Sequence, residues 1–459
     1  MPQPLSRPSC RSCAARGCGY ATLVVIVAFV IGYALTGRYH PNIASPPARP
    51  RLNGYDDFVA AGKILEANGG LDAIFGSRPG GKPVLAQERI VVAHNATALA
   101  RMQVGLTREC LAPVCRGFNK LEPDLDYVRN LARLTAAQAD VRAADGDLAG
   151  AAQSCLDAIQ IGISVPRTGG TLKGFVGAAC ETIGQKKFAD LVDRLPAAAA
   201  ERAADRLRSI LGRRTAPADL LREEARSTLQ GIVDVDDLNG GLLEAFLQMC
   251  SYPPPPPQPA AARIAPYNIV GRVAWHFVRD KTLRSMEAHL SAIVREAGKP
   301  AWLRHEPQLP TWPLAHAVAP VYTWALQKWE ITDARSRILL ATLAVRAYMG
   351  RRARLPSSLS EAGVPPELTV DPFSGKPLIY KPAGRDYLIY SVGPDLKDDG
   401  GMPADESSGS TMTGDIGAVS FARPGSVPMG EPGTRQRNYR RVPHMLPPKL
   451  PAGAPALRR

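Results

Sequence analysis

One uninterrupted apolar run near the N-terminus constrains this chain more than any other feature. Residues 19–35 read GYATLVVIVAFVIGYAL and carry no charged side chain. A helix of about 20 residues spans the hydrocarbon core of a bilayer, and a helix pairs all its backbone groups internally, as that core requires. We therefore expect a transmembrane helix over residues 19–36. The alternative is a cleaved secretory signal, although its apolar stretch is usually shorter.

The expected anchor leaves a short basic segment before it and nearly the whole chain after it. Arginines flank the run on both sides, so the distribution of positive charge does not fix its orientation. Long segments that follow an anchor are exported largely regardless of their charge. We therefore expect a single-pass protein of the inner (cytoplasmic) membrane, with the bulk of the chain on the periplasmic side.

The net charge of +14 raises the question of an acidic partner. Part of this charge lies in a Pro- and Arg-rich tail after Ala422. Such a tail can bind nucleic acid, anionic lipid or acidic cell-wall polymers, but a disordered, solubilising tail also accounts for it. We favour the disordered tail and expect no nucleic-acid partner.

The eight cysteines do not predict a zinc site. Three of them lie within residues 10–18, before the anchor, without a fourth ligand nearby. Cys110 and Cys115 bracket a short loop that a disulfide can close. The remaining three lie in apolar helical surroundings, where free buried thiols are common.

The large middle part of the chain has the pattern of packed helices. Abundant Ala and Leu favour helices over sheets. Within residues 139–162, small residues flank an Asp145-Gly146-Asp147 turn, which resembles one tetratricopeptide-type hairpin because small residues let two helices approach closely. Three copies at a fixed period are not found. Pro196 and Pro217 suit the first turn of later helices.

Proline marks the next part of the chain. Residues 253–257 are five consecutive prolines, which form a stiff polyproline II spacer. A helical block at 267–297 is followed by an extended Trp- and Pro-containing loop at 300–313. Apolar residues at helical spacing then predict a long amphipathic helix over residues 318–350.

Two strand-like segments follow this helix. Pro377–Lys381 and Tyr387–Val392, joined by residues 382–386, predict a β-hairpin. A Gly-rich loop with Asp395, Asp398 and Asp399 comes next. Carboxylate oxygens on a flexible loop suit Ca²⁺ better than Mg²⁺ or zinc, and the alternative is a solvated turn that binds nothing.

The motifs of this region resemble those of a known family. LPSSL, DPFSGKPLIY, YLIYSVGPDLKDDGG and Gly414-Asp415-Ile416 follow the long helix, in an order similar to that of the globular part of type II secretion major pseudopilins. The resemblance covers residues 331–420 and implies a helix packed on a small antiparallel sheet with a calcium-binding loop. Carried over to this chain, it makes four residues calcium-ligand candidates. They are Ser391, Asp395, Asp398 and Asp415.

The rest of the chain resembles large, uncharacterised membrane-anchored bacterial proteins. The apolar run has no Glu, which pseudopilins carry near the start of their N-terminal helix, so we expect a tether and not a filament subunit. No Walker loop, dinucleotide-binding, zinc-protease or nucleophile-elbow motif appears in its expected context. The spacings of His276, His289, His305 and His316 place no two of them on adjacent helical turns.

These features predict a mainly α protein with a small α+β module. The expected function is a non-enzymatic, membrane-anchored envelope scaffold whose C-terminal module binds calcium and whose partners are envelope or secretion-system proteins. Alternatives are a component of a type II secretion or pilus-like machine and a hydrolase hidden in the helical domain. The expected divisions are a basic N-terminal tail (1–18), a transmembrane helix (19–36), a Pro-rich stalk (37–55), an α-helical array (56–250), a polyproline linker (251–266), a helical continuation (267–330), a pseudopilin-like helix with hairpin and acidic loop (331–420), and a disordered basic tail (421–459).

Overall fold

The structure is a computed structural model. It describes residues 39–71, 84–117, 122, 124–234, 266–317, 319–320, 322–384, 386–403 and 413–417. The expected anchor, the five prolines and the basic tail lie outside these residues.

The described residues are mainly helical and contain one small antiparallel sheet, as the sequence predicts. Eleven α-helices occur in this part of the chain: α1 (Gly54–Ala67), α2 (Leu85–His94), α3 (Ala96–Leu106), α4 (Asp124–Ala144), α5 (Leu148–Ser164), α6 (Thr171–Ala189), α7 (Ala197–Leu211), α8 (Pro217–Asp234), α9 (Pro266–Ala297), α10 (Pro313–Ala317) and α11 (Thr323–Arg352). The strands are β1 (Ile379–Ala383), β2 (Asp386–Ser391) and β3 (Ile416–Gly417).

The predicted helical hairpin is formed by α4 and α5. Gly146 turns the chain at φ +85°, a conformation that favours glycine. The Asp147 carboxylate then caps α5 by accepting a hydrogen bond from the Gly150 N–H at 2.8 Å. Further along, Pro217 is the first residue of α8, as predicted, whereas Pro196 precedes α7 as its N-cap.

Close helix packing in the array depends on glycine. Helices α5 and α6 cross where Gly162 faces Gly177, and a Cβ added to Gly162 would lie 2.5 Å from the Gly177 carbonyl oxygen. The two helices also share buried side chains with α1, α3 and α4 in one apolar core. The small residues therefore set the distance between the helices.

The segment that was expected to be a free stalk packs against the array. The Tyr39 N–H donates to the Asp280 carboxylate of α9 at 2.8 Å, and the Arg279 guanidinium donates to the Tyr39 carbonyl at 2.8 Å. The Asn53 side chain donates to the Leu111 carbonyl at 2.8 Å. The chain is irregular here, as expected, but it is bound along its length to helices and loops of the array.

One segment among the described residues is long and apolar enough to cross a membrane. It is Leu148–Thr168, which comprises α5 and the turn after it, and 67% of its most apolar window is buried inside the protein. Core helices of soluble proteins meet the same criterion, and this helix lies between α4 and α6.

The long helix α11 is not amphipathic, which corrects the expectation for residues 318–350. It begins at Thr323 and ends at Arg352, and apolar side chains are buried on several of its faces. Leu340 and Leu343 pack into the array against α5 and α7, whereas Ile338 and Val345 pack against the sheet. One face of α11 therefore packs in the array and another packs in the C-terminal module. The expected boundary at residue 331 falls inside this single helix.

The sheet has the order β1-β2-β3 and is antiparallel throughout. In the hairpin Ile379 pairs with Tyr390 and Ala383 with Asp386, so both strands lie within two residues of their predicted bounds. Ile389 and Ile416 are buried against α11. The loop from β2 to β3 leaves the sheet beyond Ser391 and returns at Ile416.

Candidate functional site

The acidic loop closes on itself through backbone hydrogen bonds to carboxylates. Asp395 accepts from the Lys397 N–H at 3.2 Å and from the Gly414 N–H at 3.3 Å. Asp415, the residue after Gly414, accepts from the Gly401 N–H at 2.6 Å. Asp395 therefore binds the backbone of the residue before Asp415, and the two carboxylates together tie Gly414 and Asp415 to residues 395–401.

Asp415 is a buried carboxylate with an incomplete set of partners. It is only 1% exposed, and no hydrogen-bond donor within the described part of the chain reaches its Oδ1. Burial raises the pKa of Asp415, and the neighbouring charges of Asp398 and Asp399 add to this effect, although backbone N–H groups oppose it. A positively charged partner for this carboxylate would offset the cost of burying its charge.

Asp398, in contrast, already has partners. Its Oδ1 accepts from the Tyr390 hydroxyl at 2.7 Å and from the Gly400 N–H at 2.9 Å. Lys381 lies 3.8 Å from its other oxygen and also contacts the Tyr390 hydroxyl. These hydrogen bonds, led by the one from Tyr390, lower the pKa of Asp398.

Ser391 belongs to a different set of contacts, centred on Asp371. The Ser391 hydroxyl donates to Asp371 Oδ1 at 2.8 Å, and the Val392 and Phe373 N–H groups also donate to this carboxylate. The sequence analysis did not single out Asp371. An Asp whose carboxylate accepts a hydrogen bond from the backbone N–H two residues later is nevertheless a recognisable turn signal. It fixes the end of β2 from which the acidic loop departs.

The four predicted ligands therefore do not converge as a set. Asp395 binds the backbone next to Asp415, Asp398 is within electrostatic range of Asp415, and Ser391 is held by Asp371. Within the described ranges, no group of three or more His, Cys, Asp or Glu side chains could hold a metal ion. Leu396, in the middle of the loop, has φ +60°, a strained conformation for a branched residue.

A second candidate site was not predicted at all. Two cavities of about 300 Å³ and about 390 Å³ lie between the helices and share the lining residues Ala301, Trp302, Arg304 and Glu330. We call the two cavities together the cleft. Helices α6, α8 and α11 contribute to the first cavity, and α9, α11 and the acidic loop contribute to the second.

Charged side chains of the first cavity form ion pairs across the array. Arg214 donates to Glu181 at 2.6 and 3.0 Å and lies 3.3 Å from Asp333, to which Arg337 donates at 2.8 Å. These pairs join side chains from three separate parts of the chain, which only the fold brings together.

Arg304 and Glu330 form the ion pair that both cavities share. Burial raises the pKa of Glu330 to about 7, although the charge of Arg304 and its hydrogen bond oppose this effect. The Glu330 carboxyl therefore changes its protonation state near neutral pH.

Two buried polar atoms in the cleft wall have no partner among the described residues. One is Trp329 Nε1 in the first cavity, and the other is His289 Nε2 in the second; their side chains are 7% and 6% exposed. His289 Nδ1 lies 3.1 Å from the Gln308 carbonyl, which only accepts hydrogen bonds, so Nδ1 carries the proton and Nε2 is an acceptor. Both nitrogen atoms are almost fully shielded from solvent, so they are buried polar atoms and not contact points on the surface of the cleft.

The disulfide that the sequence leaves open between Cys110 and Cys115 is not formed in the structure. Cys110 and Cys115 are free thiols, as are Cys155 and Cys180. Burial raises the pKa of Cys110 to about 12, so its thiolate form is scarce at neutral pH.

Comparisons with protein-family models, with curated proteins and with solved structures found no match for this chain.

Proposed function

We propose that this protein is a non-enzymatic, membrane-anchored envelope scaffold that holds a pseudopilin-like, calcium-binding module on a helical array of tetratricopeptide-like hairpins. The observation that carries the proposal is the double role of α11. Leu340 and Leu343 belong to the core of the array, whereas Ile338 and Val345 belong to the core under the sheet. A helix shared in this way joins the two parts as a rigid support, which is what a scaffold requires.

Calcium at the acidic loop is supported by the chemistry of its carboxylates. Asp415 Oδ1 is a buried oxygen without a donor among the described residues, and Asp395 accepts only from backbone N–H groups. Both carboxylates have oxygen lone pairs that they can donate to a cation, and Ca²⁺ binds hard oxygen ligands. Asp398 would join them by exchanging its contact with Lys381 for the ion, and Ser391 holds the start of the loop in place.

A non-enzymatic function is supported by the pairing of the cleft carboxylates. Glu181, Glu330 and Asp333 are each bound to at least one arginine. A general base or nucleophile needs its lone pair free for the substrate. Carboxylates held in ion pairs are better suited to structure and binding.

The calcium site is tested by thermal unfolding of the full chain in detergent. The excised module is unsuitable because it would expose the face of α11 that carries Leu340 and Leu343. Calcium is expected to raise the melting temperature of the wild-type protein. Asp415→Asn is expected to raise the melting temperature without calcium, because the buried charge disappears, and to abolish the calcium effect.

Asp386→Asn is the matched control, since Asp386 is exposed on the same sheet and lies outside the loop. It should keep the full calcium effect, as should wild-type protein in excess Mg²⁺. A wild-type melting temperature that does not respond to calcium, or a response that survives both Asp395→Ala and Asp415→Asn, would refute the calcium site.

A further inference from the structure

The cleft has the size of a small-molecule site. Its cavities of about 300 and 390 Å³ share the Arg304–Glu330 ion pair and Trp302 in their linings. Ligand sites in proteins are mostly apolar concavities with a few placed polar groups. Here apolar groups, such as those of Ile163 and Leu220, form most of the first cavity's wall.

The charges of the lining argue against an anionic ligand. In the first cavity three arginines face three carboxylates, and all of them are engaged in ion pairs with one another. The second cavity adds the acidic residues Glu296 and Glu306. A phosphate or carboxylate ligand would have to compete with these carboxylates for every arginine.

The lining offers hydrogen bonds to neutral groups instead. A hydroxyl group both donates and accepts, so it can accept from the Arg304 guanidinium while donating to the Glu330 carboxylate, which leaves their ion pair intact.

Trp302 provides an apolar platform at the junction of the two cavities. Its indole packs on Gly375, where an added Cβ would lie 2.5 Å from Cε2, so the ring is supported from behind. The side chain is nonetheless 41% exposed. An exposed aromatic face beside hydroxyl-binding groups is complementary to the C–H face and the hydroxyl edge of a sugar ring.

We propose that the cleft binds an uncharged saccharide, with a sugar ring on Trp302 and its hydroxyls on the Arg304–Glu330 pair. This function goes beyond scaffolding. A peptide is the less suitable ligand, because peptides are recognised at sheet edges, in grooves for amphipathic helices or in aromatic grooves for polyproline helices. The cleft walls in the described residues are helices and loops, with no strand edge among the lining residues.

The test is isothermal titration calorimetry on the full chain in lauryldimethylamine oxide, a detergent without a sugar headgroup. The probes are the N-acetylglucosamine trisaccharide, cellotriose and maltotriose, compared with inorganic phosphate and trialanine. At least one trisaccharide is expected to bind, and phosphate and trialanine are not. Trp302→Ala should weaken saccharide binding by about tenfold or more, and Trp302→Phe, which keeps a ring, should weaken it less.

Trp324→Ala is the matched control, because Trp324 is also exposed, at 53%, and lines neither cavity. It should bind as the wild type does, and melting temperatures will show that each variant is folded. The proposal is overturned if none of the three trisaccharides binds, if Trp302→Ala binds as tightly as Trp324→Ala, or if phosphate or trialanine binds in their place.

Discussion

For several carboxyl groups in this protein, the cost of burying the charge is greater than what their hydrogen-bond and ion-pair partners offset. Burial is the largest influence on Asp415, Glu181 and Glu330, and it raises the pKa of each one. An arginine opposes the effect at Glu181 and Glu330, whereas at Asp415 only backbone N–H groups do so. Buried carboxyls of this kind are concentrated at functional sites, which is why the loop and the cleft are the two places where we propose ligands.

Glu330 should make the stability of the protein depend on pH. Its folded pKa of about 7 lies above the reference value of 4.5, so between these values the folded state holds a proton that the unfolded state has lost. Stability therefore falls as pH rises through this range. From pH 5 to pH 8, the free energy of unfolding of the wild type should fall relative to that of Glu330→Gln by about 1–3 kcal/mol.

Denaturant titrations at a series of pH values measure this difference. Glu306→Gln serves as the control, since Glu306 lines the same cleft but is exposed. Other groups that titrate in this range, such as Glu88, are present in both proteins and cancel. A constant difference between wild type and Glu330→Gln across the pH range would show that Glu330 is ionised throughout.

At the level of elements, some features of the helices are specified by residues close together in the sequence, and others by residues that are adjacent only in the folded protein. The α4–α5 hairpin is specified locally, because Gly146 permits the turn and Asp147 caps the next helix, and the sequence predicts it correctly. The direction in which α6 crosses α5 depends on Gly162 and Gly177, which are adjacent only in the folded protein. The crossing was not predictable, since neither glycine differs locally from any other in a helix.

Gly162→Ala should destabilise the protein by about 2–4 kcal/mol, because the new Cβ would meet a backbone carbonyl that cannot move without separating the helices. Gly212→Ala is the control: a Cβ there would meet only ordinary contacts at 3.7 Å and beyond. That change should be near neutral. Chemical denaturation gives both values, and equal effects of the two substitutions would mean that α5 and α6 have room to separate.

For the whole molecule, the question is whether the array and the C-terminal module unfold together. The resemblance to pseudopilins, which covers residues 331–420, suggests a division at residue 331, inside the predicted long helix. The structure instead has one helix, Thr323–Arg352, whose Trp329, Leu340 and Ile338 belong to three different apolar cores. A substitution that weakens the packing of one core should therefore also reduce the stability of the other two.

Leu340→Ala should reduce the stability of both parts by a similar amount, about 2–5 kcal/mol. Leu340 is fully buried on the array side of α11. Hydrogen exchange measures the effect locally, and amides of β2 should lose as much protection as amides of α7. Ile90→Ala, at an exposed position, is the control. Unchanged protection in β2 would show that the module unfolds independently.

The sequence alone determined the helical class, the α4–α5 turn, the β-hairpin and the presence of an acidic loop, because each depends on residues close together in the chain. The expected anchor, the tetratricopeptide-like character of the hairpins and the pseudopilin-like module remain predictions. Only the tertiary structure decided that Asp395 binds the backbone of Gly414, that Arg214 bridges Glu181 and Asp333, and that a cleft forms beside Glu330. Local patterns fix the conformation of short segments, whereas sites made of distant residues depend on how helices pack, which in this chain is set by glycines and by one shared helix.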